Sequence, residues 1–365
     1  MGKVRVLHAA DLHLDTAFDD LPDALAARRR AELREIPEKL VRLAERVGAQ
    51  VVLLPGDLFD GRAGAEAIEA VERMLQALQV PVFIAPGNHD FYRPGCVYDK
   101  MYLPENVHVF RENQIECVPV PELDLRVWGG AFTDSVCRPL LAEFRPPEKH
   151  PDTVDLLCVH GVVAADGPYN PITPEQLAAS GMDYAALGHS HTCSGLQRAG
   201  DTFYLWPGVP MGRGFDETGT KGVVVADVEP GRVTARFAPL GGREYRILPV
   251  DITGEDPLTA IAGALPEGAE RDIVRIVLTG TADIPPEPET IRCSLAGRFF
   301  HTEVRSQVTV RQDLWARAGE ATLRGAFLRA LKGQMTGDPA GDARIEAAAR
   351  WGLAALDGRE EAEQL

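Results

Sequence analysis

Apolar positions in the first 240 residues fall into short runs alternating with helical patterns, at residues 4–7, 37–47, 51–54, 65–78 and 82–85. The short runs are continuous aliphatic stretches such as Val51-Val52-Leu53-Leu54, the signature of strands buried on both faces. The longer segments repeat their apolar residues every three or four positions, as amphipathic helices do. The order is βαβαβ, which predicts a largely parallel sheet covered by helices, an α/β class of fold. After strand patterns at 156–159 and 184–187 the strands crowd together, at 202–206, 222–228 and 233–237. That later part is therefore predicted to be antiparallel.

The pattern breaks at Leu240-Gly241-Gly242-Arg243. Beyond it, strand patterns at 245–250, 272–279 and 307–310 and a short helix at 257–265 form a compact α+β set. From Leu314 only helical signals remain, at 323–331 and 345–356, joined by a Gly/Asp/Pro loop at 337–342. The expected division is a catalytic domain at 1–242, a small α+β capping domain at 243–312 and a helical tail at 313–365. The tail carries two apolar stripes, Leu323/Phe327/Leu331 and Ile345/Ala348/Trp351, and ends in the acidic segment Arg359-Glu360-Glu361-Ala362-Glu363.

Composition narrows the setting. At 365 residues, 45% hydrophobic and 25% charged, the chain has the make-up of a soluble globular protein. No apolar run approaches the roughly 18 to 20 residues that cross a bilayer, so no membrane span is expected. Strand patterning begins at once, without a signal-peptide core, which predicts a cytoplasmic location. The six cysteines, at 96, 117, 137, 158, 193 and 293, include no Cys-x-x-Cys pair and read as reduced thiols. With 38 basic against 54 acidic residues, a net charge of −16 disfavours wrapping nucleic acid by bulk charge and leaves room for a local phosphate site.

Metal-capable residues collect just beyond predicted strands. Asp11-Leu12-His13, Gly56-Asp57 and Gly87-Asn88-His89-Asp90 follow the first three, and His160-Gly161 and Gly188-His189-Ser190-His191 follow two later ones. All would lie at the carboxyl edge, where open α/β sheets carry their sites. Imidazole, carboxylate and amide donors together suit Mn²⁺, Fe²⁺ or Zn²⁺, and there are more of them than one ion requires. Two ions are implied, and Asp57 could give one oxygen to each across the ~3.5 to 4 Å used by two-metal phosphoester hydrolases. The glycines at 56, 87, 161 and 188 are expected where the backbone turns sharply beside the ions.

These five motifs, in this order, resemble the calcineurin-like metallophosphoesterase superfamily. Within it, His8-Ala9-Ala10-Asp11-Leu12-His13-Leu14-Asp15, Gly56-Asp57-Leu58-Phe59-Asp60 and Trp206-Pro207-Gly208 before Gly222 are similar to the SbcD branch of bacterial DNA repair nucleases, including its YhaO-type members. The resemblance implies a two-sheet sandwich flanked by helices. It implies that Asp11, His13 and His191 hold one divalent ion, foremost Mn²⁺, that Asn88, His160 and His189 hold the other, and that Asp57 bridges them. His89 would then be the general acid, oriented by Asp90, in hydrolysis of DNA phosphodiester bonds. The resemblance further implies an SbcC-like coiled-coil ATPase partner docking on the tail; a homodimer is a further arrangement.

Other residues keep two readings. His8 lies inside the first strand pattern and reads as a packed histidine rather than a ligand, and Cys158 and Cys193 as small buried hydrophobes. Arg213, flanked by Gly212 and Gly214, is a candidate substrate-phosphate contact or a surface-turn arginine. Arg28-Arg29-Arg30-Ala31-Glu32-Leu33-Arg34 would either track a nucleic-acid backbone or form a solvated helix face. Two rival functions stand beside the nuclease: a phosphodiesterase or phosphatase for small molecules or nucleotides, and a metal-loaded regulatory subunit of an ATPase.

Overall fold

The computed structural model describes residues 2–146, 148–310 and 314–356. The chain divides into two compact units, Met1–Arg246 and Ile247–Leu365. The first unit begins β1 (Val4–His8), α1 (Asp23–Leu33), α2 (Ile36–Val47), β2 (Val51–Leu54), α3 (Ala65–Ala77), β3 (Val82–Ile84), α4 (Val97–Lys100) and β4 (Val107–Val109). It continues through β5 (Glu116–Val120), β6 (Leu125–Gly129), β7 (Val154–His160), β8 (Val162–Val163), β9 (Pro171–Ile172), α5 (Pro174–Ala179) and β10 (Tyr184–Gly188). β11 (Gln197–Ala199), β12 (Thr202–Leu205), β13 (Gly222–Glu229) and β14 (Arg232–Pro239) complete it.

These strands form two six-stranded sheets, ordered β14-β13-β1-β2-β3-β4 and β11-β12-β10-β7-β6-β5. One apolar cluster draws from both, joining Val6, Leu53 and Phe83 of the first to Leu156, Cys158 and Ala186 of the second. The expected two-sheet sandwich is therefore what forms. Strand alternation explains the apolar run inside β7: Leu156 and Cys158 face the other sheet, while Leu157 and Val159 enter a second cluster with Leu177 of α5. On the outside, α2 buries Ile36, Leu40, Leu43 and Ala44 at helical spacing and stops at Gly48 in the left-handed conformation, φ 64°.

Strand direction departs from expectation in one respect. β13 is antiparallel to β1 and β14, as predicted, but β12, also expected to be antiparallel, runs parallel to β10, as β7 does. The long β7–β10 connection carries α5 and gives the chain the crossover that a parallel neighbour requires. The helix face expected at 28–34 belongs to α1, which is not simply solvated: it buries Ala26, Arg29 and Leu33. An arginine at the centre of that stripe hides its apolar period. Arg29 is fully buried, donates to the Gly212 carbonyl at 2.8 Å and to Glu32 at 2.6 Å, and faces the rings of Phe18 and Tyr245.

In the second unit, β15 (Tyr245–Asp251), α6 (Pro257–Ala264), β16 (Ile273–Thr279), β17 (Thr281–Ala282), α7 (Pro288–Ser294), β18 (His301–Ser306) and β19 (Thr309–Val310) come first. β15, β16 and β18 make a three-stranded sheet over a core that includes Ile261, Val274, Ile276 and Ile291. α8 (Leu323–Lys332) and α9 (Pro339–Leu356) follow. Contrary to the expected loop at 337–342, α9 begins at Pro339, an ordinary first position for a helix. Its packed face is also rotated from the expected stripe: Ala349 and Leu353 meet Leu328, whereas Ala348 and Trp351 are exposed. The acidic segment 359–363 and the boundary at 312/313 lie outside the described residues. No helix among the described residues is long and apolar enough to cross a membrane.

One polar link ties the two sheets of the sandwich together. His8 on β1 accepts a hydrogen bond at Nδ1 from the Tyr184 hydroxyl on β10, 2.9 Å away, and its Nε2 donates to the Leu187 carbonyl at 3.2 Å. Burial pushes this imidazole's pKa down to about 3, so it packs as the neutral core histidine expected. The unfolded chain takes up a proton near pH 6.5 that the folded state refuses, so this contribution is complete above that pH and is lost as pH falls towards 3. Tyr184→Phe should strand the His8 nitrogen and lower unfolding stability by about 1 to 2 kcal/mol at pH 7. A urea midpoint equal to wild type would show that the link does not matter.

Candidate metal centre

β1, β2 and β3 of one sheet and β7 and β10 of the other are parallel within their sheets and deliver their following loops to one edge. The loops are then stitched together. The Asp11 amide donates to the Gly56 carbonyl at 3.1 Å, the His13 amide to the Asp57 carbonyl at 2.9 Å, and the His189 amide to the Asp11 carboxylate at 3.0 Å. Two close approaches make this possible. A side chain at Gly188 would place its Cβ 1.8 Å from the Pro55 carbonyl oxygen, and one at Gly56 would lie 2.5 Å from His160 Nδ1. Of the four glycines expected at sharp turns, only Gly56 has positive φ, 87°. Gly87, Gly161 and Gly188 are glycines because backbone or side chains of the site pass too close for a Cβ.

Strain gathers at the same edge. Asp11, His13, Asp57 and His189 have φ of 54°, 44°, 53° and 98°, a region that side-chain-bearing residues enter at a cost of order 1 kcal/mol or more each. Such outliers persist where surrounding bonds over-determine them, typically at functional sites.

The side chains converge as two groups that share Asp57. In the first, Asp11, His13 and His191 come together, with His13 Nε2 3.3 Å from His191 Nε2 and 3.7 Å from Asp57 Oδ2. In the second, His160 Nε2 lies 2.9 Å from Asn88 Oδ1, 3.3 Å from His189 Nδ1 and 3.4 Å from the same Asp57 Oδ2. Hydrogen bonding fixes the tautomers. His160 Nδ1 donates to the Pro55 carbonyl at 3.0 Å, and His191 Nδ1 donates to Glu217 Oε1 at 2.8 Å, so each turns a bare Nε2 inward.

The bare His160 Nε2 therefore faces the lone pairs of Asn88 Oδ1 and Asp57 Oδ2, an arrangement that repels unless a cation lies between them. His13 Nδ1 is buried without a hydrogen-bond partner. Burial lowers the pKa of His13, His160 and His189 to about 4 in each case, which keeps them neutral at pH 7 as ligands must be. Burial, and then the charge of Asp57, pushes the Asp11 carboxyl well up. Two carboxylates buried together and ringed by neutral imidazoles fit divalent cations, and the donor set is that of a dinuclear site.

His89 sits apart from this pattern. It lies within ligand distance of His13 and Asp57, but its Nδ1 bonds Asp60 Oδ1 at 2.9 Å and its side chain is 43% exposed. The bond to Asp60 raises the His89 pKa, and Asp60 itself is lowered by the neighbouring His13 and His89 imidazoles.

Asp60, not the expected Asp90, therefore orients His89. Asp90 is buried among backbone amides, accepting from those of Leu58 at 2.7 Å, Gly87 at 2.8 Å and Asp57 at 3.2 Å, and from the Tyr98 hydroxyl at 2.6 Å. Its work is to clamp the loop that carries Asp57. Arg213 is at the site but not free: its Nη2 bonds Glu217 Oε1 at 2.7 Å and lies 3.0 Å from His191 Nδ1. The bonds from His191 and Arg213 outweigh burial and bring Glu217 down to about 2. Asp60, Glu217 and Tyr98 had no role in the sequence reading; Asp60 was quoted as motif wording, and nothing in the spacing marks the others.

The basic run at 28–34 is spent inside the unit. Arg28 and Arg29 pair with Glu32, Arg30 bonds the Ala17 carbonyl at 2.7 Å, and Arg34 pairs with Asp15 and Glu66. All six cysteines are unpaired; Cys158 is core, with its thiol pKa pushed up by burial.

If Asp57 serves both groups, Asp57→Ala should lose both ions together, where Asp11→Ala weakens one. Elemental analysis of the purified variants after Mn²⁺ loading measures this. Two ions per chain retained in Asp57→Ala would remove the bridging role.

Comparison with known proteins agrees with this geometry. Residues 4–193 match the family model described as calcineurin-like phosphoesterase. The chain is 30% identical over 303 residues, 76% of its own length and 72% of the relative's, to the uncharacterized metallophosphoesterase YhaO of Bacillus subtilis (strain 168). Among solved structures, TT1561 of Thermus thermophilus aligns with a TM-score of 0.41 at 14% identity, over 64% of this chain and 98% of that one. Purple acid phosphatase PPD1 from yellow lupin (Lupinus luteus) seeds aligns with a TM-score of 0.40 at 14% identity, over 64% and 51%. The matched span takes in every motif from Asp11 to His191, and the chain belongs to the calcineurin-like metallophosphoesterase family.

Proposed function

We propose that this protein is a metal-dependent nuclease that hydrolyses DNA phosphodiester bonds at a centre of two divalent ions. The observation that supports the chemistry most strongly is the single oxygen Asp57 Oδ2, 3.7 Å from His13 Nε2 and 3.4 Å from His160 Nε2, facing both groups of lone pairs. Asp11, His13 and His191 would hold one ion, Asn88, His160 and His189 the other, with Asp57 between. The mixed nitrogen and oxygen donors suit Mn²⁺, Fe²⁺ or Zn²⁺, and the resemblance to SbcD nucleases puts Mn²⁺ first. When bound, such ions polarise the phosphoryl oxygens and make water acidic enough to attack phosphorus near neutral pH.

The chain's own residues supply the rest. With Nδ1 tied to Asp60, His89 can offer its Nε2 proton to the oxygen that departs, and the raised pKa keeps that proton available. Glu217 holds His191 in the tautomer that leaves Nε2 bare, and the Pro55 carbonyl does the same for His160. A metal site of purely structural or regulatory purpose would have no use for a half-exposed histidine oriented in this way.

DNA as substrate rests on the likeness of the motif wording to SbcD nucleases. A second reading, a small phosphodiester or nucleotide, draws support from the net charge of −16 and from the spent arginines at 28–34. Assays in Mn²⁺ and Mg²⁺ on blunt, overhanging and hairpin DNA, beside bis-p-nitrophenyl phosphate, test the two together. Cleavage of DNA is expected; turnover of the small diester alone would favour the second reading.

His89→Ala should keep both ions yet lose about 10² to 10⁴-fold in kcat on DNA, whose leaving oxygen is poor. Asp60→Asn should fall in the same direction by less. A loss under about tenfold in His89→Ala would count against general acid catalysis.

The tail is also proposed to dock a coiled-coil ATPase of the SbcC kind. Leu328, Ala349 and Leu353 are satisfied within the tail, but Leu323 and Trp351 are 75% and 59% exposed, and tryptophan is frequent among interface hot spots. A chain truncated after residue 313 should fail to co-purify with a co-expressed ATPase. Equal recovery of the two forms would exclude the tail as the docking site.

A further inference from the structure

A cavity of about 270 Å³ opens beside His191, lined by Cys193, Thr218, Thr220, Lys221 and Phe237 among others. Its walls are continuous with the candidate metal centre. On one side the chain runs from His191 through Thr192 to Cys193; on the other it runs from Glu217, which holds His191 at 2.8 Å, into Thr218 and on to Lys221. The Val209 amide, also in the lining, donates to the His191 carbonyl at 3.2 Å. A ligand in the cavity therefore has a fixed position relative to the metal centre.

The chemistry of the walls is unlike that of the centre itself. Asp11, Asp57, Asp60 and Glu217 crowd the metal site, and the chain carries a net charge of −16. No carboxylate lines the cavity, and Lys221 is the charged aliphatic side chain in its wall. Among the described residues no acid is paired with Lys221, whereas Arg213, first expected to meet a phosphate, is committed to Glu217. Phe237 also lines the cavity, with 37% of its surface exposed. Thr220 spends its hydroxyl proton on Glu244, 2.6 Å away, which leaves the Lys221 cation and an accessible aromatic ring as the elements that hold a phosphate and a base without reading sequence. Just below the ~300 to 1,000 Å³ typical of ligand sites, the cavity suits no more than one nucleotide unit.

We propose that this cavity seats the nucleotide unit adjoining the scissile phosphate of a single DNA strand, with Lys221 contacting its phosphate and Phe237 stacking on its base. The proposal rests on the nuclease reading, since it names where that substrate extends beyond the reacting group. It assigns no step of the chemistry to either residue; both act by binding.

The test compares a single-stranded oligonucleotide with bis-p-nitrophenyl phosphate, which has no neighbouring unit, in one preparation of Mn²⁺-loaded full-length protein. In Lys221→Gln, the loss of kcat/KM on the oligonucleotide should exceed the loss on the small diester by roughly tenfold, mostly through KM. The slope of log kcat/KM against log salt for the oligonucleotide should flatten by about 0.7, the value for one phosphate contact on a single strand. Lys221→Arg should recover most of the rate, and Phe237→Ala should show the same substrate bias without the change in salt slope. Equal losses on both substrates, or an unchanged slope in Lys221→Gln, would overturn the assignment and leave the nuclease reading standing. Wild-type protein that turns over the small diester but cleaves no DNA would overturn both.

Discussion

Neutral imidazoles and buried carboxylates at one strand edge present more lone pairs than protons, and the rest of the sandwich is arranged around that imbalance. His160 and His191 spend their Nδ1 protons on the Pro55 carbonyl and on Glu217, so the nitrogens that point inward are bare. With His160 Nε2 2.9 Å from Asn88 Oδ1 and 3.4 Å from Asp57 Oδ2, cations are the remedy that leaves the donors in place. The same need explains why the fold tolerates four left-handed residues and a glycine pressed against the Pro55 carbonyl. Only with those distortions do loops from two separate sheets reach a common centre.

Around that centre each charged group is tied by a partner that limits what it can do. Asp90 is consumed by backbone amides and holds the Asp57 loop; Asp60 takes the orienting role on His89. Glu217 serves His191 and Arg213 at once, which fixes the His191 tautomer and holds the arginine beside it. The arginines at 28–34 are likewise absorbed, Arg29 completely. In an acidic chain, a lysine in a cavity wall that no carboxylate lines gives the Lys221 cavity its interest.

Much of the sandwich was legible because its strands are apolar on both faces and its helices α2 and α3 are plainly amphipathic. Where the pattern failed, a physical reason is visible. An arginine occupies the buried stripe of α1, and the parallel course of β7, β10 and β12 depends on crossovers that spacing does not reveal. The residues of the site were readable as chemistry at the ends of strands. Their orientation was not, because it is set by contacts between residues far apart in the chain. Asp60 and Asp90 both flank metal-capable residues in sequence, and only the fold decides that Asp60 meets the His89 ring while Asp90 turns beneath the loop. Glu217 reaches His191 from 26 positions away, as their numbers give.

The central claim is that one carboxylate joins two ions in a single centre. Electron paramagnetic resonance during titration of the metal-free protein with Mn²⁺ tests it most directly. The account predicts uptake of two ions per chain, with the signal of isolated Mn²⁺ giving way to that of an exchange-coupled pair as the second ion binds. Saturation at one ion, or two ions whose spectra remain those of isolated Mn²⁺, would contradict it.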